Sequence, residues 1–179
     1  MRARSLRHND PLAIFRILPA SPKPTRKHQM FGIRVFTPAL VDESGWPHAG
    51  AELCVGAARL RFRLDLRYWR VANYERQWRE GIARLASGAS TSALVSRYSG
   101  PGDAPHTMWA LWRADGHVFV QPECILPGEL AAPFDPVAPY AHIGVRVPVT
   151  EENLPLTELS VPVEHVIAAS LGIRWPFVQ

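Results

Sequence analysis

The residues of this sequence that could do chemistry lie far apart. Cys54, Cys124, His48, His106, His117, His142 and His165 are its soft ligands from residue 30 onward. None falls in a close pair such as CxxC or HExxH, which a tetrahedral metal centre draws on, so no metal site is expected. Nucleophilic catalysis has no better foothold. There is no GxSxG turn, neither cysteine has a catalytic flank, and Gly100-Pro101-Gly102 lacks the lysine and spacing of a phosphate-binding loop. We therefore expect no catalytic residue and no cofactor.

One pattern is dense enough to bind something. Arg59, Arg61, Arg63 and Arg67 alternate with Leu60, Phe62, Leu64, Leu66 and Tyr68. On one face of a strand such arginines recur every ~6.6 Å, close to the step between phosphates of a nucleic acid. The functional reading is a track for nucleic acid or for an acidic protein surface. The structural reading is a solvated sheet face with carboxylates interleaved. The second is favoured, because the aromatic residues that would stack on bases, Phe62 and Tyr68, point the other way.

These residues need a scaffold, and hydrophobic periodicity supplies its outline. Phe31–Phe36 reads as a first strand and 60–68 as a strand with one buried face. Glu52–Val55 reads as an earlier part of that strand, with Gly56 a bend or bulge. Val71, Tyr74, Trp78, Ile82 and Leu85 form one stripe of a helix over 71–87, and a second short helix is expected over Thr91–Tyr98. Asp115-Gly116 between apolar runs asks for a type I′ hairpin turn. Residues 122–140 hold five prolines and are expected to wander over the surface. His142–Val147 alternates as a strand, Leu159–Val161 reads as the last strand, and Pro162 opens a helix that Gly172 ends. The whole is α+β and a single domain: an antiparallel sheet of about five or six strands with two or three packed helices.

Charge is distributed unevenly over the 179 residues. Residues 1–29 hold seven basic residues against Asp10, leaving thirteen basic and fifteen acidic residues for a mildly acidic body. The net charge of +4 is therefore a property of the tail and no signature of nucleic-acid binding. We read 1–29 as a disordered basic extension, with Met30 a plausible start, and 30–179 as the domain. The apolar stretch Leu12–Leu18 is short and broken by Arg16, unlike a signal peptide. No run is long enough to span a membrane. Two cysteines without a framework imply reduced thiols in a cytosol. Arginine in place of lysine and 17 prolines suggest a GC-rich bacterial gene.

From Met30 onward the sequence resembles a family of contact-dependent growth inhibition immunity proteins. The resemblance rests on ordered blocks: MFGIRVF from Met30, RYW from Arg67, YERQW from Tyr74, SALVSRY from Ser92, WALWR from Trp109, VFVQ from Val118, PFDP from Pro133 and SVPVE from Ser160. The tail has no counterpart in that pattern, and the helix start at Arg70-Val71-Ala72 lacks its serine and acidic residues. The resemblance implies a small cytoplasmic protein, without activity or cofactor, that binds and neutralises the C-terminal domain of a cognate secreted toxin. Neither nucleic acid nor membrane is an expected partner; a nucleic-acid-binding domain using the arginine strand is the alternative.

Many toxins of this kind have basic clefts, so acidic loops are the expected toxin-binding surface. Asp42, Glu43 and Trp46 form one such cluster, Glu123 with Glu129 a second, Glu151 with Glu152 a third. Trp46 and Trp175 are candidate exposed anchors. The remaining expectation concerns the tail. A chain beginning at Met30 should keep its melting temperature. A fall of about ten degrees, on the order of 2 kcal/mol, would show that the tail packs on the body.

Overall fold

The computed structural model describes residues 16–17, 30–102, 104–148 and 158–172. Its elements run β1 (Arg16–Ile17), β2 (Met30–Val35), β3 (Leu40–Val41), β4 (Pro47–Gly56), β5 (Ala58–Asp65), α1 (Val71–Ala86), β6 (Thr91–Arg97), β7 (His106–Ala114), β8 (His117–Ile125), β9 (Leu159–Pro162) and α2 (Val163–Ser170). The class is α+β, as the sequence reads. The strands divide between two antiparallel sheets. One has the order β1-β5-β4-β2 with β3 beside β4, and the other β6-β7-β8-β9. Within 1–29, Arg16–Ile17 pairs with Arg61 and Leu60 on β5. The rest of that extension, with Glu151, Glu152 and Trp175, lies outside the described residues.

The alternating run forms β5, burying Leu60, Phe62 and Leu64 and leaving Arg59, Arg61 and Arg63 exposed. It stops at Asp65, so Tyr68 does not join the buried face and is exposed. Glu52–Val55 belongs to a separate strand, β4, that pairs with β5 from His48↔Asp65 to Val55↔Ala58. Gly56 is the reason: at φ 61° it supplies the positive φ that a two-residue hairpin turn asks of its first central residue. Asp115 at φ 51° and Gly116 at φ 73° make the expected turn between β7 and β8.

Three expectations are corrected. The expected helix over Thr91–Tyr98 is instead strand β6, Thr91–Arg97. The second sheet is covered on both sides, so β6 buries both faces; such a run carries no alternation to separate it from a buried helix. His142–Val147 is not a strand: it follows a 3-10 turn at Pro139–His142, and its Val145 and Val147 are exposed. The proline-rich stretch also begins later than expected, because β8 continues through Pro122 to Ile125.

One core joins Phe31, Ile33, Leu53 and Phe62 of the first sheet to Trp109, Leu111, Val118 and Val120 of the second. Tyr74, Trp78, Ile82 and Leu85 of α1, with Val166 of α2, complete it. Phe62 meets Trp78 and Trp109 edge-on, with centroids 6.3 and 5.9 Å apart. At the start of α1, Asn73 Oδ1 accepts the Arg70 N–H at 3.0 Å, serving an end that lacks serine and acid.

Helix α1 also covers the free edge of β6. The Gln77 amide donates to the Ala93 carbonyl and accepts the Val95 N–H, both at 2.9 Å, and Trp78 Nε1 donates to the Val95 carbonyl at 2.8 Å. Gly81 permits this approach, since a Cβ there would lie 2.5 Å from the Ala93 carbonyl oxygen.

Residues 126–147 cross the other face of the second sheet. Trp112 Nε1 donates to the Gly144 carbonyl at 3.1 Å and Gln121 Nε2 to that of Val147 at 3.0 Å, so side chains meet backbone needs that a ladder would otherwise meet. A column of rings clamps the segment: Tyr98 stacks on His106, His106 on Phe134 at 4.3 Å, and Phe134 leans on His142. His106 Nδ1 accepts the Ser99 N–H at 3.2 Å. Burial first, then the charge of Arg97, pushes His106 down from 6.5 to about 4.

Two predictions follow from this packing. Trp78→Ala removes a ring from the centre of the core and should cost on the order of 3–5 kcal/mol in denaturant unfolding. His106 stays neutral in the fold while the unfolded chain takes up a proton near 6.5, so stability is full above that pH and declines toward pH 4. Unfolding at pH 7 and pH 4 should differ by on the order of 2–3 kcal/mol from this residue, and His106→Gln should flatten that slope.

Candidate functional site

The arginine face is not an open row of cations. Arg34, Glu52 and Arg61 are direct cross-strand partners on β2, β4 and β5, so their side chains share one face. Glu52 is 2% exposed and takes Arg34 Nη2 at 3.3 Å, Arg59 Nη1 at 3.5 Å and Arg61 Nε at 3.1 Å. Burial alone would raise its carboxyl, but hydrogen bonds from Arg61 and Arg34 outweigh that and hold it below the usual range. Cys54 lies in the same layer, accepting Arg59 Nη1 at 2.7 Å, and burial pushes its thiol up. Each arginine of the expected track meets a carboxylate: Arg59 and Arg61 meet Glu52, Arg63 meets Asp42, and Arg67 meets Asp65. That is the solvated, interleaved face favoured above the phosphate track.

Two of the seven candidate residues come together at a cleft. The β3–β4 hairpin is tied by Asp42, whose Oδ1 accepts the N–H groups of Ser44 at 3.0 Å and Trp46 at 2.9 Å. The Trp46 N–H, then Arg63, hold the Asp42 carboxyl below its ordinary value. Asp42, Trp46, Arg63, Asp65 and Arg97 line a cleft of about 350 Å³ beside this tip. Trp46 is 48% exposed, and its ring carries the Arg67 guanidinium 3.8 Å from the centroid. The same guanidinium also lies over the ring of Tyr68, likewise exposed, 5.7 Å from its centroid. Gly100 leaves the space Tyr68 occupies: a Cβ there would sit 2.5 Å from the tyrosine ring.

Asp65 supports this cleft from below. Its carboxylate takes Arg67 Nε at 2.9 and 3.0 Å and the Arg67 N–H at 3.1 Å, with Arg97 Nε 3.7 Å away. Burial would raise the carboxyl, yet the Arg67 hydrogen bonds prevail and lower it. The Asp65 carbonyl accepts the Tyr74 hydroxyl at 2.8 Å, and that oxygen accepts the Tyr98 N–H at 3.0 Å. One residue thus ties β5, α1 and β6 to the tip.

The other candidates stand apart from the cleft lining. Glu43 is exposed beside Asp42. Glu123 is half-buried on β8, where burial pushes its carboxyl up, and Glu129 is exposed in the 3-10 turn at Pro127–Glu129. Both act on Cys124, whose thiol is raised chiefly by burial. Sequence reading passed over Glu52, Asp65 and Arg97. The available signal was that Asp65 interrupts an otherwise basic alternation. Among the described residues no group of three or more His, Cys, Asp and Glu could hold a metal ion, and no helix is long and apolar enough to cross a membrane.

Known proteins place this architecture. No curated protein matches the chain. A solved chain of the CdiA-CT/CdiI toxin and immunity complex from Enterobacter cloacae matches with a TM-score of 0.72 at 21% identity, covering 80% of this chain and 98% of that one. At that identity the likeness shows the fold. The model of the CdiI N-terminal domain matches residues 64–169, from the end of β5 to α2. The chain belongs to the CdiI family, the immunity proteins of contact-dependent growth inhibition.

Proposed function

We propose that this protein binds the C-terminal domain of a cognate CdiA-type toxin and neutralises it inside the producing cell. The observation that carries this reading is the family match over residues 64–169. The solved chain that shares its fold comes from a toxin and immunity complex, which supports the same reading. The protein acts in the cytoplasm by occupancy and has no catalysis or cofactor of its own. Asp42, Glu43 and Trp46 are the contact surface best supported by the geometry, because the tip is held by its own hydrogen bonds before any partner arrives. Glu123 with Glu129, and Glu151 with Glu152, are further acidic candidates on the same reading and mainly set the association rate.

Neutralising a toxin at low copy number requires near-complete occupancy, so the dissociation constant should be nanomolar or below, about −12 kcal/mol or better. An interface of about 1,600 Å² suffices when a few side chains are well buried in it. Co-expression with the toxin domain encoded next to this gene should rescue growth, and calorimetry should show a one-to-one complex. Cell death despite abundant folded protein, with no heat of binding, would overturn the proposal.

A further inference from the structure

The cleft beside the β3–β4 tip is electrostatically unfinished. Two guanidiniums, Arg63 and Arg97, and two carboxylates, Asp42 and Asp65, line it, and a third guanidinium, that of Arg67, already takes up Asp65. Arg67 engages both oxygens of Asp65, and Arg63 engages Asp42. Arg97 is left with a 3.7 Å approach to Asp65, beyond hydrogen-bond reach. Among the described residues nothing accepts a hydrogen bond from its guanidinium, whose side chain is 34% exposed and lines the cleft. Arg63 spends one nitrogen on Asp42 and is half exposed. A guanidinium carries five N–H donors, so both have donors to spare.

We propose that this cleft is a socket for one carboxylate side chain of the toxin domain, held between Arg63 and Arg97 beside the Trp46 ring. One added carboxylate balances the unmatched positive charge. A planar carboxylate suits the fork of Arg97. The lining includes exposed Trp46 and half-exposed Arg63, residue types that dominate binding energy at interfaces. The socket is built before binding, because Asp65 locks Arg67 and Asp42 locks the tip. This rests on the toxin-binding reading and adds the chemistry of the partner: at this point the toxin presents an acid, although the rest of the expected contact pairs acidic loops of this protein with a basic toxin surface.

Calorimetry of the full chain with its neighbouring toxin domain tests this. Arg97→Gln should weaken binding about 30-fold or more, and Arg97→Lys, which keeps the charge but loses the planar fork, should recover only part of that loss. Trp46→Ala, a change at an exposed ring that leaves the core alone, should also weaken binding at least about tenfold. Arg79→Gln on the exposed side of α1 should change nothing. Replacing the toxin's aspartates and glutamates singly by their amides should find one position that loses as much as Arg97→Gln, with the double variant no weaker than either single. If wild type binds tightly while Arg97→Gln and Trp46→Ala both bind within about threefold of it, the socket is wrong and the immunity reading stands. If Arg97→Gln weakens binding but no toxin carboxylate couples to it, the assignment of an acid is overturned. If wild type does not bind, both proposals fail.

Discussion

Asp65 is the point on which the cleft and the junction of the two sheets depend. A carboxylate removed from water is stable only when other groups replace its solvation. Here Arg67 does so through side chain and backbone together, and Arg97 adds charge from the neighbouring sheet. The same residue offers its carbonyl to Tyr74, whose hydroxyl passes the connection to the Tyr98 N–H. Strand β5, helix α1 and strand β6 are therefore tied within one hydrogen-bonded chain. Trp46 inherits its fixed position from this arrangement, because the guanidinium beneath its ring is the one that Asp65 orients.

Features that rest on local chemistry could be read directly from the sequence. The alternation around Phe62, the stripe from Tyr74 to Leu85 and the Asp115-Gly116 turn each express a backbone period or a positive φ, and these are properties of neighbouring residues. Thr91–Tyr98 was misread because its surroundings are set by α1 on one side and residues 126–147 on another, and a fully buried strand has no wet face to mark it. The alternation of Ile143, Val145 and Val147 failed for the opposite reason: the carbonyls of Gly144 and Val147 are met by Trp112 and Gln121, so no neighbouring strand is needed. In the site, Asp42 and Trp46 were visible as a polar turn with an aromatic residue. Arg97 was not, because its place at the cleft depends on the meeting of two sheets that no local pattern encodes.

The span matched by the family model begins one residue before Asp65. Of the cleft lining, Asp65 and Arg97 fall inside that span, whereas Asp42, Trp46 and Arg63 fall before it. The supporting half of the cleft is therefore carried by the end of β5 and by β6 of the second sheet. The half that presents side chains outward is carried by the β3–β4 hairpin, with Arg63 beside it on β5. This division lets a tip change its side chains while the residues that orient it stay in place.

The glutamine on α1 has a consequence for the life of the molecule in a crowded cell. An exposed strand edge is a template on which another chain can lay itself, and a protein held in excess of its target would pair with its own copies there. Gln77 meets one donor and one acceptor of β6, Trp78 meets a further carbonyl, and Gly81 brings the helix close enough for both. The helix thus occupies the place of the next strand without offering an edge of its own. The second sheet is closed on that side to indiscriminate pairing, and recognition is left to side chains, which can distinguish one partner from another where backbone hydrogen bonds cannot.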